Sequence, residues 1–251
     1  MGTKQRNIKI INKQEGILIK KIVFTALFVL VSAVGAFADD IFFPTQKGTV
    51  LLMATMDAQG TGVPKLIGYG RTKVLDVKGS GNNLTIVCQT EVLDKNRQSN
   101  KNVVPLEYTM RIVDGAVVVD INSMLGLPPS AAGAVVFSGD TLRIPSKIKP
   151  GDKLKDANMT MTLDMGGMKM KVDISISNYK CLAVEKVTVP AGTFEAYKMT
   201  QTVTTTNTMV QMKQTTTVVS WNVFGIGPVK NEVYDEKGKV TSRMEMQEIT
   251  R

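Results

Sequence analysis

The sequence contains no histidine, and this absence excludes several kinds of catalytic and metal site. Without an imidazole the chain cannot form a Ser-His-Asp or Cys-His catalytic pair, a histidine-ligated haem or a histidine-containing metal site. Nucleophile-elbow, phosphate-loop and calcium-loop spacings are absent as well. We therefore expect a protein that is not an enzyme, with no catalytic residue, no metal ligand and no cofactor.

Cysteine and aromatic residues are scarce. Two cysteines among 251 residues are too few for a disulfide-rich scaffold or an all-cysteine zinc site. Aromatic residues make up 6% of the chain, whereas methionine is plentiful at 15 residues. The hydrophobic fraction of 43% and charged fraction of 21% are ordinary for a folded domain, so the chain is neither disordered nor collagen-like.

A run of apolar residues near the amino terminus is too short to span a membrane. Residues 22–34 form a run of 13, whereas a spanning helix needs roughly 20. Two lysines precede this run, and Ala36-Phe37-Ala38 has the small-x-small form of a signal-peptidase site. No cysteine lies near that site, which argues against a lipid-anchored lipoprotein. We expect residues 1–38 to be a signal peptide and residues 39–251 to be a single exported, periplasmic or extracellular β-rich domain without a transmembrane anchor.

The basic charge of the chain belongs largely to this predicted leader. The leader carries six lysine or arginine residues against one glutamate, a net +5 out of the formal +9, which leaves +4 on residues 39–251. A net charge this small does not indicate nucleic-acid binding, and we expect no nucleic-acid partner.

Beyond the leader the pattern is typical of antiparallel strands. Short runs rich in Val, Ile, Thr and Met alternate with Gly, Asp, Asn and Pro clusters about every ten residues. The runs are 49–56, 66–77, 84–93, 103–113, 116–121, 158–165, 168–177, 181–189, 194–205, 209–222, 228–234 and 239–249. They predict an all-β fold: a large curved antiparallel sheet or a half-open up-and-down barrel, with roughly 12 strands. At most one short helix is expected, within 123–138, where a loop is the alternative.

A Thr-rich stretch, 200–217, is predicted to form paired strands. Tyr197, Met199 and Val203 would share one face, and the threonines would lie on the other, since threonine suits a solvated sheet face.

Three segments together resemble the TapB-like family of secreted bacterial proteins, which overlaps a group defined only as a domain of unknown function. The segments are 185–198, containing Val189-Pro190-Ala191-Gly192-Thr193-Phe194; 221–232, containing Trp221 and Gly225-Ile226-Gly227-Pro228-Val229-Lys230-Asn231-Glu232; and Pro145 with Pro150-Gly151-Asp152-Lys153-Leu154. The resemblance covers about residues 43–249. It implies an exported β-rich domain of the cell envelope and assigns no catalytic residue.

Backbone geometry accounts for the residues of these segments without catalysis. Pro190 and Gly192 predict a tight corner between strands, with Phe194 returning to the core. Gly225 and Gly227 predict a bulge or a close backbone approach where the Trp221 strand reverses. We expect Trp221 to be a core anchor whose indole N–H donates to a carbonyl.

Cys88 and Cys181 leave two alternatives open. After export they would meet an oxidising compartment, where a disulfide between them could form. Cys88 has the parity of the apolar residues before it, so it is predicted to point inward. Sequence spacing does not show that the two residues are close, and two buried free thiols are therefore favoured.

The Met-rich segment 158–174 allows a definite register. Gly166-Gly167 is the natural two-residue hairpin turn, so the numbers of every facing pair sum to 333. One face is then wholly apolar and the other polar, and a one-residue slip would mix them. The apolar face either packs into the core or lines a pocket for an apolar ligand, since thioethers repack readily. Its ligand-lining candidates are Met159, Met161, Leu163, Met165, Met168 and Met170.

Three functions fit these observations. The preferred one is a structural or interaction module of the cell envelope that contacts another envelope protein through its surface or sheet edges. The alternative is a periplasmic carrier for an apolar small molecule or lipid, which a Met-rich interior would suit. Cu(I) binding by methionine clusters is the weakest, because it needs about three sulfurs converging on one point, whereas a row along a strand spreads them out.

Cleavage after Ala38 is the testable outcome of the leader assignment. The intact mass of the exported protein should correspond to residues 39–251. A mass that retains residues 1–38 would contradict the assignment.

Overall fold

The computed structural model describes residues 42–59, 62–81, 83–99, 105–114, 116–119, 135–141, 143–145, 147–164, 169–207 and 211–251. These residues form thirteen β-strands. The strands are β1 (Val50–Asp57), β2 (Lys65–Ser80), β3 (Asn83–Leu93), β4 (Leu106–Val113), β5 (Ala116–Val119), β6 (Val135–Gly139), β7 (Arg143–Pro145), β8 (Ala157–Asp164), β9 (Lys169–Val189), β10 (Gly192–Asn207), β11 (Met212–Val223), β12 (Gly227–Tyr234) and β13 (Val240–Thr250).

The all-β prediction is confirmed, with thirteen strands rather than about twelve. None of the described residues is helical, and the described part of the chain has no helix long and apolar enough to cross a membrane. The segment with the predicted short helix lies mostly outside the described residues. The sequence also predicts two strands over 168–177 and 181–189, where the structure has the single strand β9. Asn178 takes a φ of +54° at a register shift, so the strand bends there without ending.

All thirteen strands belong to one antiparallel sheet in the order β6-β8-β9-β10-β11-β12-β13-β1-β2-β3-β4-β5-β7. The two edge strands, β6 and β7, lie at opposite ends of this order but are joined by only three residues. The four steps along the chain from Gly139 to Arg143 span at most about 14 Å, so the Cα atoms of these two residues cannot lie further apart than that. The sheet must therefore curve until its two edges approach each other, as the curved-sheet prediction requires.

The predicted register of the Met-rich hairpin is confirmed. β8 and β9 pair from Ala157 opposite Ile176 to Asp164 opposite Lys169, and every facing pair sums to 333. Met159 and Met161 are 3% and 2% exposed, whereas Lys171 on the other face is exposed. The predicted turn and the candidates Met165 and Met168 lie outside the described residues.

The main core cluster joins strands from both ends of the sheet. It includes Ile86 and Met110 from β3 and β4 together with Met161 and Ile174 from β8 and β9. These strands are far apart in the sheet order, so they share one cluster only because the sheet curves around it. Methionine suits such a core, because its unbranched side chain fills irregular gaps.

A second cluster lies where the β9–β10 hairpin ends. Pro190 and Ala191 form a two-residue turn, and the Ala191 N–H donates to the Met246 carbonyl of β13 over 3.1 Å. Phe194 packs against a cluster that includes Trp221 of β11 and Leu51 of β1. The hairpin end is thus held against strands that are not its neighbours in the sheet.

The turn between β11 and β12 meets the first described residues. A Cβ on Gly227, which has a φ of +98°, would lie 2.5 Å from the Phe42 carbonyl oxygen. Phe42 is fully buried, and its ring stacks on Phe224 at 4.3 Å and meets Tyr197 edge-on at 5.1 Å. A register shift beside Trp221 marks a bulge in the same region.

Replacing Gly227 with Ala should destabilise the fold more than replacing Gly225. Both residues have positive φ, but a Cβ on Gly225 would meet no atom of the described ranges within 4 Å. We expect urea unfolding to show a loss of about 1 kcal/mol for Gly225→Ala from backbone strain alone. Gly227→Ala should lose about 2–4 kcal/mol, because the Phe42 backbone must also move. Equal losses would show that the close approach is unimportant.

Candidate functional site

Polar residues from two of the resembling segments meet on one side of the sheet. Lys198 of β10 lies opposite Trp221 of β11, and Trp221 lies opposite Lys230 of β12. Glu185 of β9 and Glu232 of β12 bond to side chains in this row. We call these five residues the Trp221 cluster. Directly opposed residues share a side of the sheet, so the cluster lies on the side away from Met199 and Val218 of the main core.

Trp221 is held by a carboxylate rather than by the carbonyl predicted from sequence. Its indole N–H donates to Glu185 Oε1 over 2.7 Å, and Lys198 Nζ donates to the same oxygen over 3.1 Å. Lys198 and Lys230 Nζ lie 5.0 and 4.5 Å from the indole ring centroid, within the range of cation–π attraction. The carbonyl prediction was wrong because pairing across β9 and β10 brings in a charged acceptor that sequence spacing does not reveal.

Glu232 is a buried carboxylate with three partners. Only 8% of its side chain is exposed, and Lys230 Nζ and Arg243 Nη2 each lie 3.0 Å from its Oε1. The Tyr234 hydroxyl donates to its Oε2 over 2.5 Å. Each oxygen of this buried charge therefore has a partner, as burial of a carboxylate requires.

These partners set the ionisation of both glutamates. Burial by itself would raise the pKa of Glu232, but the Tyr234 hydroxyl, Lys230 and Arg243 outweigh it and hold that pKa below its ordinary value. The Trp221 N–H and the Lys198 ammonium lower the pKa of Glu185. Burial, together with the neighbouring Glu232, raises the pKa of Tyr234 to about 12. Both carboxylates are thus anionic at neutral pH and Tyr234 is a neutral donor.

An open depression of about 470 Å³ adjoins the Trp221 cluster. Tyr234 lies in its wall, and Thr217 is opposite Tyr234 on the same side of the sheet. The lining residues are Thr215, Thr216, Thr217, Val219, Tyr234, Asp235, Glu236 and Gly238. We call this depression the threonine groove. Thr204 and Thr202, opposite Thr215 and Thr217, extend its hydroxyl-rich surface onto β10, as the predicted pairing of the Thr-rich stretch requires.

The described candidates for an apolar ligand pocket lie in the main core. Met159, Met161 and Met170 are buried there, and each faces an aliphatic residue, Ile174, Val172 or Leu163. No two of these three methionines are directly opposed, and they occupy three successive rows on one side of the hairpin. Met170 Sδ accepts a hydrogen bond from the Asn207 amide at 3.5 Å.

Cys88 and Cys181 are separate buried thiols, with no disulfide between them. Burial raises the pKa of Cys88 to about 12, and it also raises the pKa of Cys181, with the nearby Asp152 charge adding to the effect. Neither thiol is a ready nucleophile at neutral pH. Among the described residues, no three acidic or cysteine side chains group as a metal site would need.

Sequence reasoning singled out Trp221 but not its charged neighbours. Glu185, Lys198, Lys230 and Glu232 all lie within the resembling segments. The available signal was that Lys230 and Glu232 occupy alternate positions in β12, so they point to the same side of the sheet. Only the strand pairing shows that these charges meet at one indole.

The network around Glu232 should make stability depend on pH. A carboxyl whose pKa is lowered by folding stabilises the protein above its unfolded pKa of about 4.3, and that contribution is lost as the pH falls through the lower folded value. Unfolding free energy should therefore decrease on acidification below about pH 4.5. Glu232→Gln should lower stability at pH 7 and flatten this acid dependence. Glu236→Gln, at an exposed turn residue, is the control and should leave the pH profile unchanged.

Comparisons with known proteins agree with this architecture. A candidate exported protein with a YmcC-like fold from Bacteroides fragilis NCTC 9343 superposes with a TM-score of 0.64 at 19% identity, covering 84% of this chain and 99% of that one. A candidate lipoprotein from Parabacteroides distasonis ATCC 8503 gives 0.65 at 18% identity, covering 83% and 98%. At these identities the likeness shows the fold alone.

No curated protein matches the sequence. The DUF3108-like family matches residues 46–246, a range that contains the thirteen strands apart from the last residues of β13. Both resembling segments that supply the Trp221 cluster lie inside this range. The chain belongs to the DUF3108-like family.

Proposed function

We propose that this protein is an exported, non-catalytic interaction module of the cell envelope that binds its partner through the threonine groove and the adjoining Trp221 cluster. The observation that carries the proposal is the division between the two sides of the sheet. The Met-rich apolar side is packed into the main core, whereas the groove lies on the other side of the sheet, beside the second cluster, and is open.

The groove is suited to a polar, weakly charged partner surface. Threonine hydroxyls offer both donors and acceptors, and the Tyr234 oxygen, whose proton is donated to Glu232, can still accept. Asp235 and Glu236 in the groove wall share their turn with the exposed Lys237 and Lys239, so the charges near the groove are balanced. Three cations, Lys198, Lys230 and Arg243, accompany the carboxylates of Glu185, Glu232 and Glu245 in the neighbouring rows. A balanced set gives little long-range attraction to a highly charged polymer. We therefore infer an envelope protein as the partner.

Export is supported by the predicted signal sequence and by the names of the two similar structures, one described as exported and the other as a lipoprotein. A closer kinship with the TapB-like family and cleavage after Ala38 are part of this proposal. The start of the described domain is compatible with a leader, because Phe42 enters the core four residues after Ala38.

The competing function is carriage of an apolar ligand lined by the methionines. Met159, Met161 and Met170 already contact core residues from β9 and beyond, so a ligand would have to displace side chains that bury one another. Displacing these side chains would disrupt a close-packed interior and so lower the stability of the fold.

Site-specific photocross-linking in the native envelope tests the proposal. A benzophenone amino acid at Glu236, an exposed groove residue, should give a discrete partner adduct. The same label at Glu107, an exposed residue of β4, is the matched control and should give none. Thr217→Val in the Glu236-labelled protein should reduce the adduct severalfold, because it removes a groove hydroxyl while keeping side-chain shape. Thr85→Val on β3 should leave the yield unchanged.

Lipid analysis separates the two functions. Protein purified from its own envelope should carry no stoichiometric lipid by mass spectrometry of an organic extract. A stoichiometric lipid, together with equal adducts at Glu236 and Glu107, would overturn the interaction proposal in favour of carriage.

A further inference from the structure

Three polar side chains lie on the core side of strands β11 and β12. Ser220 lies opposite Met199 of β10 on one side and opposite Asn231 of β12 on the other. Asn222 follows two residues after Ser220, on the same side of β11. Ser220 is 6% exposed, and Asn222 and Asn231 are wholly buried. Amides at these positions are unexpected, because the same side of the neighbouring strands carries core residues.

Their hydrogen bonding is incomplete. The Asn222 amide nitrogen donates to Ser220 Oγ over 2.8 Å, and more weakly to the Tyr197 carbonyl at 3.5 Å. Asn222 Oδ1 has no partner among the described residues, and neither has Asn231 Oδ1 or Asn231 Nδ2. Within the part of the chain that the structure describes, the Asn231 side chain therefore makes no hydrogen bond at either end.

Several unpaired buried polar atoms in one place would lower the free energy of unfolding by a large fraction, because folded proteins are only marginally stable. An unpaired buried polar group costs more than an average hydrogen bond contributes, and native proteins rarely leave such groups without a partner or a bound water. An aliphatic residue of similar size would serve better at position 231 if nothing occupied the space beside it. The amides point instead to an occupant.

The atoms define the chemistry of that occupant. Asn231 Nδ2 needs an acceptor, whereas Asn231 Oδ1 and Asn222 Oδ1 need donors, so the bridging group must both donate and accept. A hydroxyl group does both. An ion is disfavoured, because Lys230 and Glu232, the charged neighbours of Asn231 in β12, lie on the opposite side of the sheet.

We propose that the core side of β11 and β12 contains an internal site for neutral hydroxyl groups, which bridge Asn231 to Asn222. The shared chemistry is that of water and of a small uncharged alcohol or polyol. The aromatic group of Phe42, Tyr197 and Phe224 borders the site, since Tyr197 lies opposite Asn222. This site goes beyond the proposed partner binding, which uses the other side of the sheet.

A double-mutant cycle on the full exported chain tests the bridge. Asn231→Leu should lower Tm by about 3 to 8 °C, because it leaves the bridging hydroxyl and Asn222 short of partners. In combination with Asn222→Leu the two losses should be clearly less than additive. If the Asn231 amide has no bound partner, its replacement by Leu should instead raise Tm.

The control cycle pairs Asn231→Leu with Thr49→Val. Thr49 Oγ1 is also buried and has no partner among the residues described. Thr49 precedes β1 and is remote in the sheet from Asn231, whose row reaches β1 only at Thr55. These two changes should add. Additive behaviour in both cycles would overturn the bridge.

A direct observation distinguishes the two sources and does not depend on variants. Nuclear Overhauser effects between the Asn231 side-chain amide protons and a long-lived water, together with a native mass equal to that of the protein alone, would identify water. An added mass of an uncharged hydroxyl compound would identify a ligand of the same chemistry. Absence of both, or a bound ion, would overturn the proposal.

Discussion

The short connection between the two edge strands is the constraint on which the rest of the structure depends. β6 and β7 are the first and last of the thirteen strands in the sheet, yet only three residues separate them along the chain. A flat sheet of this width could not satisfy that connection, so the sheet must curve. Curvature gives the sheet an interior, and that interior brings the methionines of β8 and β9 into contact with side chains of β3 and β4.

The proposed partner site lies on the other side of the sheet from this filled interior. The row Lys198, Trp221, Lys230 shows how this side is built, because a single indole organises two ammonium groups and the Glu185 carboxylate. Trp221 and Glu232 are themselves buried, and the partly exposed Lys198 and Glu185 side chains are paired above the ring, beside the threonine groove. Side chains that are already ordered would lose less conformational entropy when the proposed partner binds.

Local patterns were predicted well where one periodicity dominated. The β8–β9 register followed from Gly166-Gly167 and from strict apolar alternation, and the structure confirmed it pair by pair over the described residues. The continuous strand β9 was missed, because Asn178 and Lys180 interrupt the apolar pattern at a bulge. The partner of Trp221 was missed for a different reason, since Glu185 is 36 residues away in the sequence and reaches the indole only through two strand pairings.

The sequence by itself determined the all-β class, the strand periodicity and the inward side of the Met-rich hairpin, because these depend on neighbouring residues. Its resemblance to a domain of unknown function is confirmed by the DUF3108-like match. Tertiary structure decided which strands close the ends of the sheet and where the Ala191 hairpin end docks. It also decided that Asn231 lies opposite Ser220, whose hydroxyl accepts from the Asn222 amide. These features depend on contacts between residues distant in sequence, whose pairing is selected by the packing of the whole sheet and not by local preference.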